Sequence, residues 1–250
     1  MNDRVVLITG SSRGIGRAAA LQFAQTGARV AVHYNRDRRS AEETLAALPG
    51  SGHMTFQADL GVTADARRLI GDVLQRMHRI DVLVNNAGIW IDHPPATTSF
   101  DDWVEAWEKT IGTNLMGAAY VAHGAAMAMI RQGGGRIINI TSRGAFRGEP
   151  DGPAYAASKA GMNAMSQSLA KALAPHKICV FAIAPGWVDT DMAKPLLEGP
   201  DGDAIRAQSP MNRVATPKEV ARTILFLASE GTDALTGCII DVNCASYLRT

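Results

Sequence analysis

Seven short apolar runs punctuate the chain, and stretches of helical character separate them. "RVVLITG" (4–10), "ARVAVHY" (28–34), "HMTFQADL" (53–60), "IDVLVNNAG" (80–88), "GRIINITS" (135–142), "KICVFAIAPG" (177–186) and "TGCIIDV" (236–242) read as strands. Between them the pattern predicts helices over about 14–26, 38–48, 63–78, 100–110, 112–131, 153–174 and 217–229. A polar stretch with several Gly and Pro, 189–216, precedes the last helix. Most of the strands lack clean alternation, so both their faces are buried. Strands of that kind, alternating with helices, imply a parallel sheet covered on both sides: one doubly wound α/β domain over residues 1–250. No linker, repeat or low-complexity segment divides it. In such sheets ligands bind at the carboxyl ends of the strands.

Composition narrows the picture. The chain has 250 residues, 46% apolar and 20% charged, with a formal net charge of +1. It reads as a folded soluble domain with no sign of a nucleic-acid or anionic-membrane binder. The N-terminus enters a strand at once and lacks a secretory signal. The most apolar stretch, 115–130, contains His123 and is shorter than a bilayer span, so it reads as a buried or interface helix. Cys179, Cys238 and Cys244 show no CxxC spacing; buried, reduced thiols in the cytoplasm are expected. The histidines form no ligand pattern, so no metal is expected, and no GxSxG elbow supports serine hydrolysis.

The informative residues fall at strand ends. "TGSSRGIG" (9–16) joins the first strand to the first helix. Gly10, Gly14 and Gly16 permit a tight turn and close backbone approach, and the helix N-terminus offers N–H groups to a pyrophosphate. Ordinary turn glycines are the plain alternative. The second strand ends in Tyr34, Asn35 and Arg36, where a carboxylate normally takes the ribose hydroxyls. Arg36, with Arg13 from the glycine loop, suits a 2′-phosphate, which favours NADP(H) over NAD(H). Asp37, one residue on, keeps NAD(H) open. Asp59 ends the third strand, either facing the adenine amino group or capping a helix.

"AYAASKAG" (154–161) puts Tyr155 and Lys159 one helical turn apart on a single face, among small neighbours. That is either a packed ring with a snorkelling amine or a phenol held beside an ammonium. The second reading makes Tyr155 a proton donor and acceptor whose pKa the cation lowers.

With these motifs in hand, the chain resembles the short-chain dehydrogenase/reductase family along nearly its whole length. TGxxxGIG stands at 9–16, NNAG at 85–88, Asn114 in "TNLMG", Ser142 thirteen residues before Tyr155, YxxxK at Tyr155–Lys159, and Pro185–Gly186 followed by Thr190. The resemblance implies a seven-stranded Rossmann-type sheet, a homotetramer, and a catalytic set of Asn114, Ser142, Tyr155 and Lys159. Ser142 would hold the substrate oxygen, and Asn114 a water linking Lys159 to solvent. It implies cofactor contacts from Gly10, Ser12, Arg13, Gly14, Ile15, Gly16, Tyr34, Asn35, Arg36, Asp59, Leu60, Asn86, Ala87, Gly88, Tyr155, Lys159, Pro185, Gly186, Val188 and Thr190. Substrate contacts would come from Ser142, Tyr155, Arg143 and Trp187, with Trp90, Ile91, Phe146 and Met192 as further candidates and 191–212 as a lid. Arg143 and Arg147 are expected to be solvated, with contact to an anionic or phosphorylated substrate as the alternative.

The nearest subgroup is that of the 3-oxoacyl-carrier-protein reductases. A ketone or secondary alcohol, with a 3-oxoacyl thioester on acyl carrier protein among the candidates, is therefore the expected substrate. Arg131, Lys171 and Lys177 would form the docking patch beside the site. A sugar, polyol or small-ketone dehydrogenase using NAD(H), and a non-catalytic nucleotide-binding scaffold, are the alternatives. The chain departs from the family at "DVNCASYLRT", where Asn243, Cys244 and Ala245 replace a common Asp-Gly-Gly turn, and at Phe181, where asparagine is common.

Overall fold

A computed structural model describes residues 1–249. Strands β1 (Val5–Ile8), β2 (Arg29–Tyr34), β3 (Met54–Gln57), β4 (Val82–Asn85), β5 (Gly135–Ile140), β6 (Ile178–Pro185) and β7 (Ile239–Val242) form one sheet of order β3-β2-β1-β4-β5-β6-β7. Every pairing is parallel. Strand order reverses between β1 and β4, and a cleft opens there at the carboxyl ends.

The helices are α1 (Gly14–Gln25), α2 (Arg38–Ala47), α3 (Thr63–Met77), α4 (Phe100–Ile111), α5 (Ala118–Gln132), α6 (Gly144–Arg147), α7 (Pro153–Leu173), α8 (Lys194–Leu197), α9 (Gly202–Ala207) and α10 (Pro217–Ala228). One face of the sheet packs on α1 and α10 through Phe23, Val220, Ile224, Leu227 and Phe181. The other packs on α3, α5 and α7 through Leu69, Val73, Met77, Val121, Met129 and Ala170. Strands with both faces covered need no polar side, which is why they read as continuous apolar runs.

Three features depart from the sequence pattern. No break separates the helices expected at 100–110 and 112–131. A π-helical segment, Gly112–Gly117, joins α4 to α5 and carries Asn114. Such insertions gather at functional sites because the extra residue re-aims side chains. Gly117 lets this segment lie against the end of β3; a Cβ there would stand 2.4 Å from the Leu60 carbonyl. Second, the stretch 189–216 is not plain loop but holds α8 and α9. Its ends meet, with Val188 bridging Ala215 and the Asp189 N–H donating to the Ala215 carbonyl at 2.9 Å. Third, the three cysteines are free but only partly buried.

The unusual C-terminal turn is made by Cys244 (φ 52°) and Ala245 (φ 58°) in the left-handed region. Residues with a Cβ occupy it at a cost of about 1–3 kcal/mol each. Phe181 is fully buried, with the Arg136 guanidinium 6.0 Å from its ring centre.

Candidate active site

The cleft holds a cavity of about 1230 Å³ running from the ends of β2 and β3 across β1 and β4 to β5 and β6. Gly10, Ser12, Arg13, Gly14, Ile15, Tyr34, Asn35, Arg36, Asp59, Leu60, Asn86, Ala87, Gly88, Ser142, Arg143, Tyr155, Lys159, Pro185, Gly186, Trp187, Val188 and Thr190 all line it. Two expected residues, Gly16 and Asn114, do not. Trp90 and Met192 line it, whereas Ile91 and Phe146 do not. The Phe146 ring instead packs under the Arg249 guanidinium, 4.5 Å away.

At the β1 end, Gly10 (φ +62°) and Gly14 (φ +56°) make the turn that side chains resist. Gly16 is a packing residue. A Cβ there would lie 2.4 Å from the Gly10 carbonyl, so its absence lets α1 start against the loop. The loop is braced on three sides. Asn86 Nδ2 donates to the Thr9 and Gly10 carbonyls at 2.9 Å each, and Thr44 Oγ1 donates to the Ser12 carbonyl at 2.9 Å. The third brace is His33, whose Nδ1 accepts from the Gly10 N–H at 2.9 Å. Its Nε2–H therefore donates to the Ala58 carbonyl at 3.1 Å. Burial lowers the His33 pKa to about 4, against the opposing pull of that carbonyl and of Asp59, so the ring stays neutral. Nothing in the sequence marked His33, because a histidine at the end of an apolar strand carries no spacing signal.

The residues present fit a dinucleotide. Helix α1 has no side-chain N-cap, so its first N–H groups stay free toward the cavity, and glycines line the approach. At the end of β2, Asp37 lines the cavity but is held by its neighbours. It caps α2, accepting from the Ser40 N–H (3.0 Å) and hydroxyl (2.6 Å), and these bonds hold its carboxyl below the usual range. Arg38 and Arg39 pair with Glu42 and Glu43. Arg13 and Arg36 close no ion pair among the described residues, although Arg13 adds a weaker field on Asp37. Asp59 Oδ1 accepts from the Gly61 N–H at 2.9 Å, so one oxygen serves the local turn.

At the β5 end, Ser142 accepts from the Gly144 N–H at 3.0 Å, which fixes its hydroxyl near Tyr155. Tyr155 stands one turn into α7, with Trp90 edge-on at 5.0 Å. Lys159 is 3% exposed; its Nζ donates to the Ile140 carbonyl at 2.8 Å and lies 5.6 Å from the Tyr155 ring centre. The expectation that the lysine lowers the tyrosine pKa is not met in this state. Burial pushes the phenol up to about 12, Ser142 pulls it back in part, and Glu149 adds to the rise. Burial also lowers Lys159 to about 8. In both groups desolvation outweighs attraction at this separation.

Asn114 spends its side chain on the neighbouring loop. Its Oδ1 accepts from the Ile89 N–H (2.8 Å), while Nδ2 donates to the Ile89 carbonyl (2.9 Å) and to Ser158 Oγ (3.3 Å). Asn114 Oδ1 and Lys159 Nζ both approach Gly88, each 3.4 Å from where its Cβ would stand, but no hydrogen bond joins them among the described residues.

Other braces escaped the sequence. Buried His93 donates from Nδ1 to the Ile91 carbonyl (2.8 Å) and accepts at Nε2 from the Ala154 N–H (3.1 Å), steadying the start of α7. Asn85 Nδ2 donates to Asn139 Oδ1 (2.9 Å), and Asn139 Nδ2 donates to Ser166 Oγ (2.8 Å), locking α7 to the sheet. The expectation of solvated arginines fails at Arg143, which is buried, while Arg147 pairs with Glu149 at 3.1 Å. The proposed docking patch is also displaced. Arg131 and Lys171 lie in the last turns of α5 and α7, at the far edge of the sheet. Lys171 is sixteen residues beyond Tyr155, about 24 Å along the helix. Lys177 lines a separate cavity of about 530 Å³ at the strand starts.

The chain matches, over residues 10–244, the family described as enoyl-(acyl carrier protein) reductase. The chain belongs to the short-chain dehydrogenase/reductase family. Among its relatives, the 3-oxoacyl-[acyl-carrier-protein] reductase of Synechocystis sp. is 37% identical over 97% of this chain and 96% of its own. The enzymes of that name from Staphylococcus epidermidis (35% identical, 98% and 100% covered) and Aquifex aeolicus (36%, 97% and 97%) are similar along the same span. Like other short-chain dehydrogenase/reductases, this chain is an oxidoreductase acting on C=O and CH–OH groups. Among the described residues, no helix is long and apolar enough to cross a membrane.

Proposed function

We propose that the chain is an NADP(H)-dependent carbonyl reductase, with a 3-oxoacyl thioester on a carrier protein as the substrate class to test first. One observation carries this reading: the Ser142 hydroxyl, the Tyr155 phenol and the Lys159 ammonium converge at the carboxyl end of β5, beside a glycine loop built for a dinucleotide. The matched family description concerns a C=C bond and the relatives' names a C=O bond. A hydroxyl and a phenol able to share one oxygen favour C=O.

Bound nicotinamide supplies or accepts the hydride. Tyr155, neutral through the physiological range because burial raises its pKa to about 12, gives the proton to the carbonyl oxygen. Ser142, with its own position fixed by Gly144, donates to the same oxygen as charge develops there. Lys159 is mostly protonated at pH 7, and its charge stabilises the phenolate left by the transfer. Asn114, tied to Ile89 beside Gly88, belongs to the route by which the proton is replaced. Arg13 and Arg36 take the 2′-phosphate; the bonds of Asp37 to Ser40 support NADP(H) over NAD(H). Residues 191–212, closed at the base by Val188 and Ala215, serve as the lid.

A homotetramer is supported by two exposed apolar surfaces: Phe100, Val104, Met116, Tyr120 and Met127 along α4 to α5, and Phe226, Leu235 and Leu248 beside β7. Free thiols support a cytoplasmic location.

The test pairs a screen of ketones and 3-oxoacyl thioesters, with NADPH and NADH, with Tyr155→Phe. The variant is expected to bind NADPH as the parent does and to lose about 10²- to 10⁴-fold in kcat. Retained turnover would remove Tyr155 from the reaction.

A further inference from the structure

The residue after Ser142 is an arginine, and the fold buries it. Arg143 is 3% exposed and forms part of the wall of the large cavity. The ends of β5 and β6 run side by side here. The Thr141 N–H donates to the Ile183 carbonyl (2.7 Å) and the Arg143 N–H to the Pro185 carbonyl (2.8 Å), which brings Arg143 next to Trp187.

The guanidinium has only neutral acceptors. Nη2 donates to Gln208 Oε1 and Nη1 to Ser246 Oγ, both at 2.6 Å. Among the described residues, no carboxylate oxygen lies within 4.0 Å of it. The charges acting on it are Arg147, of the same sign, and Glu149, which Arg147 already holds at 3.1 Å. Two positive charges and one negative leave a single positive charge uncompensated. Burial and Arg147 lower the Arg143 pKa to about 10, the mark of a cation without a partner. Buried charges are normally paired, so a missing counter-ion points to one that arrives.

Trp187 lines the same cavity. The Trp187 indole N–H is enclosed and has no acceptor among the described residues. The Trp187 ring packs beneath Ala193, Leu197 and Ile205 of the 191–212 segment, and Gln208 of the same segment covers Arg143. The unpaired charge of Arg143 and the unpartnered indole N–H of Trp187 therefore both lie against this segment.

We propose that the end of the cavity walled by Arg143 and Trp187 is a carboxylate subsite, selecting carbonyl substrates that carry an anionic group as well as the reacting C=O. One uncompensated charge matches a monoanion, and a planar guanidinium matches the two oxygens of a carboxylate better than the dianionic tetrahedron of a phosphate. The inference rests on the carbonyl-reductase reading and names its substrate class. A simple 3-oxoacyl thioester offers no such group.

The test uses the full chain with NADPH and matched pairs of 2-, 3-, 4- and 5-oxo acids and their carboxamides, with the 3-oxobutanoyl thioester of N-acetylcysteamine as a neutral reference. At least one oxo acid is expected to exceed its carboxamide by about 10- to 100-fold in kcat/KM. Arg143→Gln should bring that ratio near one, and Arg143→Lys should keep part of it. Gln208→Glu supplies an internal carboxylate to Arg143; it should raise the melting temperature and abolish the ratio, and it carries the test should Arg143→Gln not fold. A ratio near one in the parent, a ratio that survives Arg143→Gln or Gln208→Glu, or equal losses on acid and carboxamide would overturn the subsite. Equal losses would leave Arg143 as a tie between the segment and Ser246. Reduction of thioester and carboxamides without preference for acids sinks the subsite alone. Failure to reduce any ketone sinks the carbonyl-reductase reading. Calorimetric titration with 4-oxopentanoate against its carboxamide then decides the subsite: binding of the acid only supports it, and equal or no binding overturns it.

Discussion

Replacing Lys159 with methionine should abolish turnover yet stabilise the fold at neutral pH. The ammonium is buried, and burial has moved its pKa from 10.5 to about 8. That displacement corresponds to about 3 kcal/mol against the charged form at pH 7. Methionine has a similar reach and no charge, but it leaves the Ile140 carbonyl without its donor, which costs about 1–3 kcal/mol. The net gain at pH 7 is up to about 2 kcal/mol, or a few degrees in Tm for a chain of this size.

The pH dependence is more discriminating than the sign at one pH. Because the folded-state pKa is depressed, the unfolded chain binds the proton more tightly. The penalty is full below about pH 8, fades from 8 to 10.5, and is absent above. Parent protein should therefore gain about 3 kcal/mol on the variant across that window and overtake it before pH 10.5. Tyr155, whose raised pKa acts above pH 10, is common to both and drops out of the difference. Paired urea melts at pH 7, 8, 9 and 10.5 measure it. A stability difference that stays flat over this range would show that Lys159 is not held in a desolvated site.

Three more outcomes follow from particular contacts. Arg36→Ala should weaken NADPH binding by about 10- to 100-fold while changing NADH by roughly threefold or less, read by fluorescence titration; equal effects would take Arg36 out of the phosphate site. His33, neutral in the fold with a pKa of about 4 against an ordinary 6.5, should cost the parent up to about 3 kcal/mol as pH falls from 6.5 to 4. His33→Asn should flatten that acid loss in chemical melts, and an unchanged acid limb would refute the assignment. Gly16→Ala puts a Cβ 2.4 Å from the Gly10 carbonyl, a backbone atom that cannot swing aside; a loss of about 1–3 kcal/mol with weaker cofactor binding is expected, and parent-like values of both would contradict the packing role.

Local chemistry was enough to determine the seven strands, their parallel pairing, the strand-end positions of Gly10 and Ser142, and the shared helical face of Tyr155 and Lys159. Each depends on a short-range rule: apolar runs bury both faces, glycine permits a turn, and residues four apart share a helical face. What only the tertiary structure decided is how those groups are solvated and what surrounds them. Tyr155 and Lys159 at helical spacing gave no measure of burial, so the sequence pointed to a lowered phenol pKa where desolvation raises it. His33, His93 and the Asn85–Asn139–Ser166 ladder brace the site from separate elements, with no spacing to betray them. Arg143 looked like a surface charge because burial is a property of the whole packed chain; only the meeting of β5, β6 and residues 191–212 encloses it without a counter-ion. Arg131, Lys171 and Lys177 looked like neighbours of the site until the length of α7 carried Lys171 to the opposite edge of the sheet. Periodicity is written residue by residue, whereas dielectric environment and long-range proximity exist only once the chain has closed on itself.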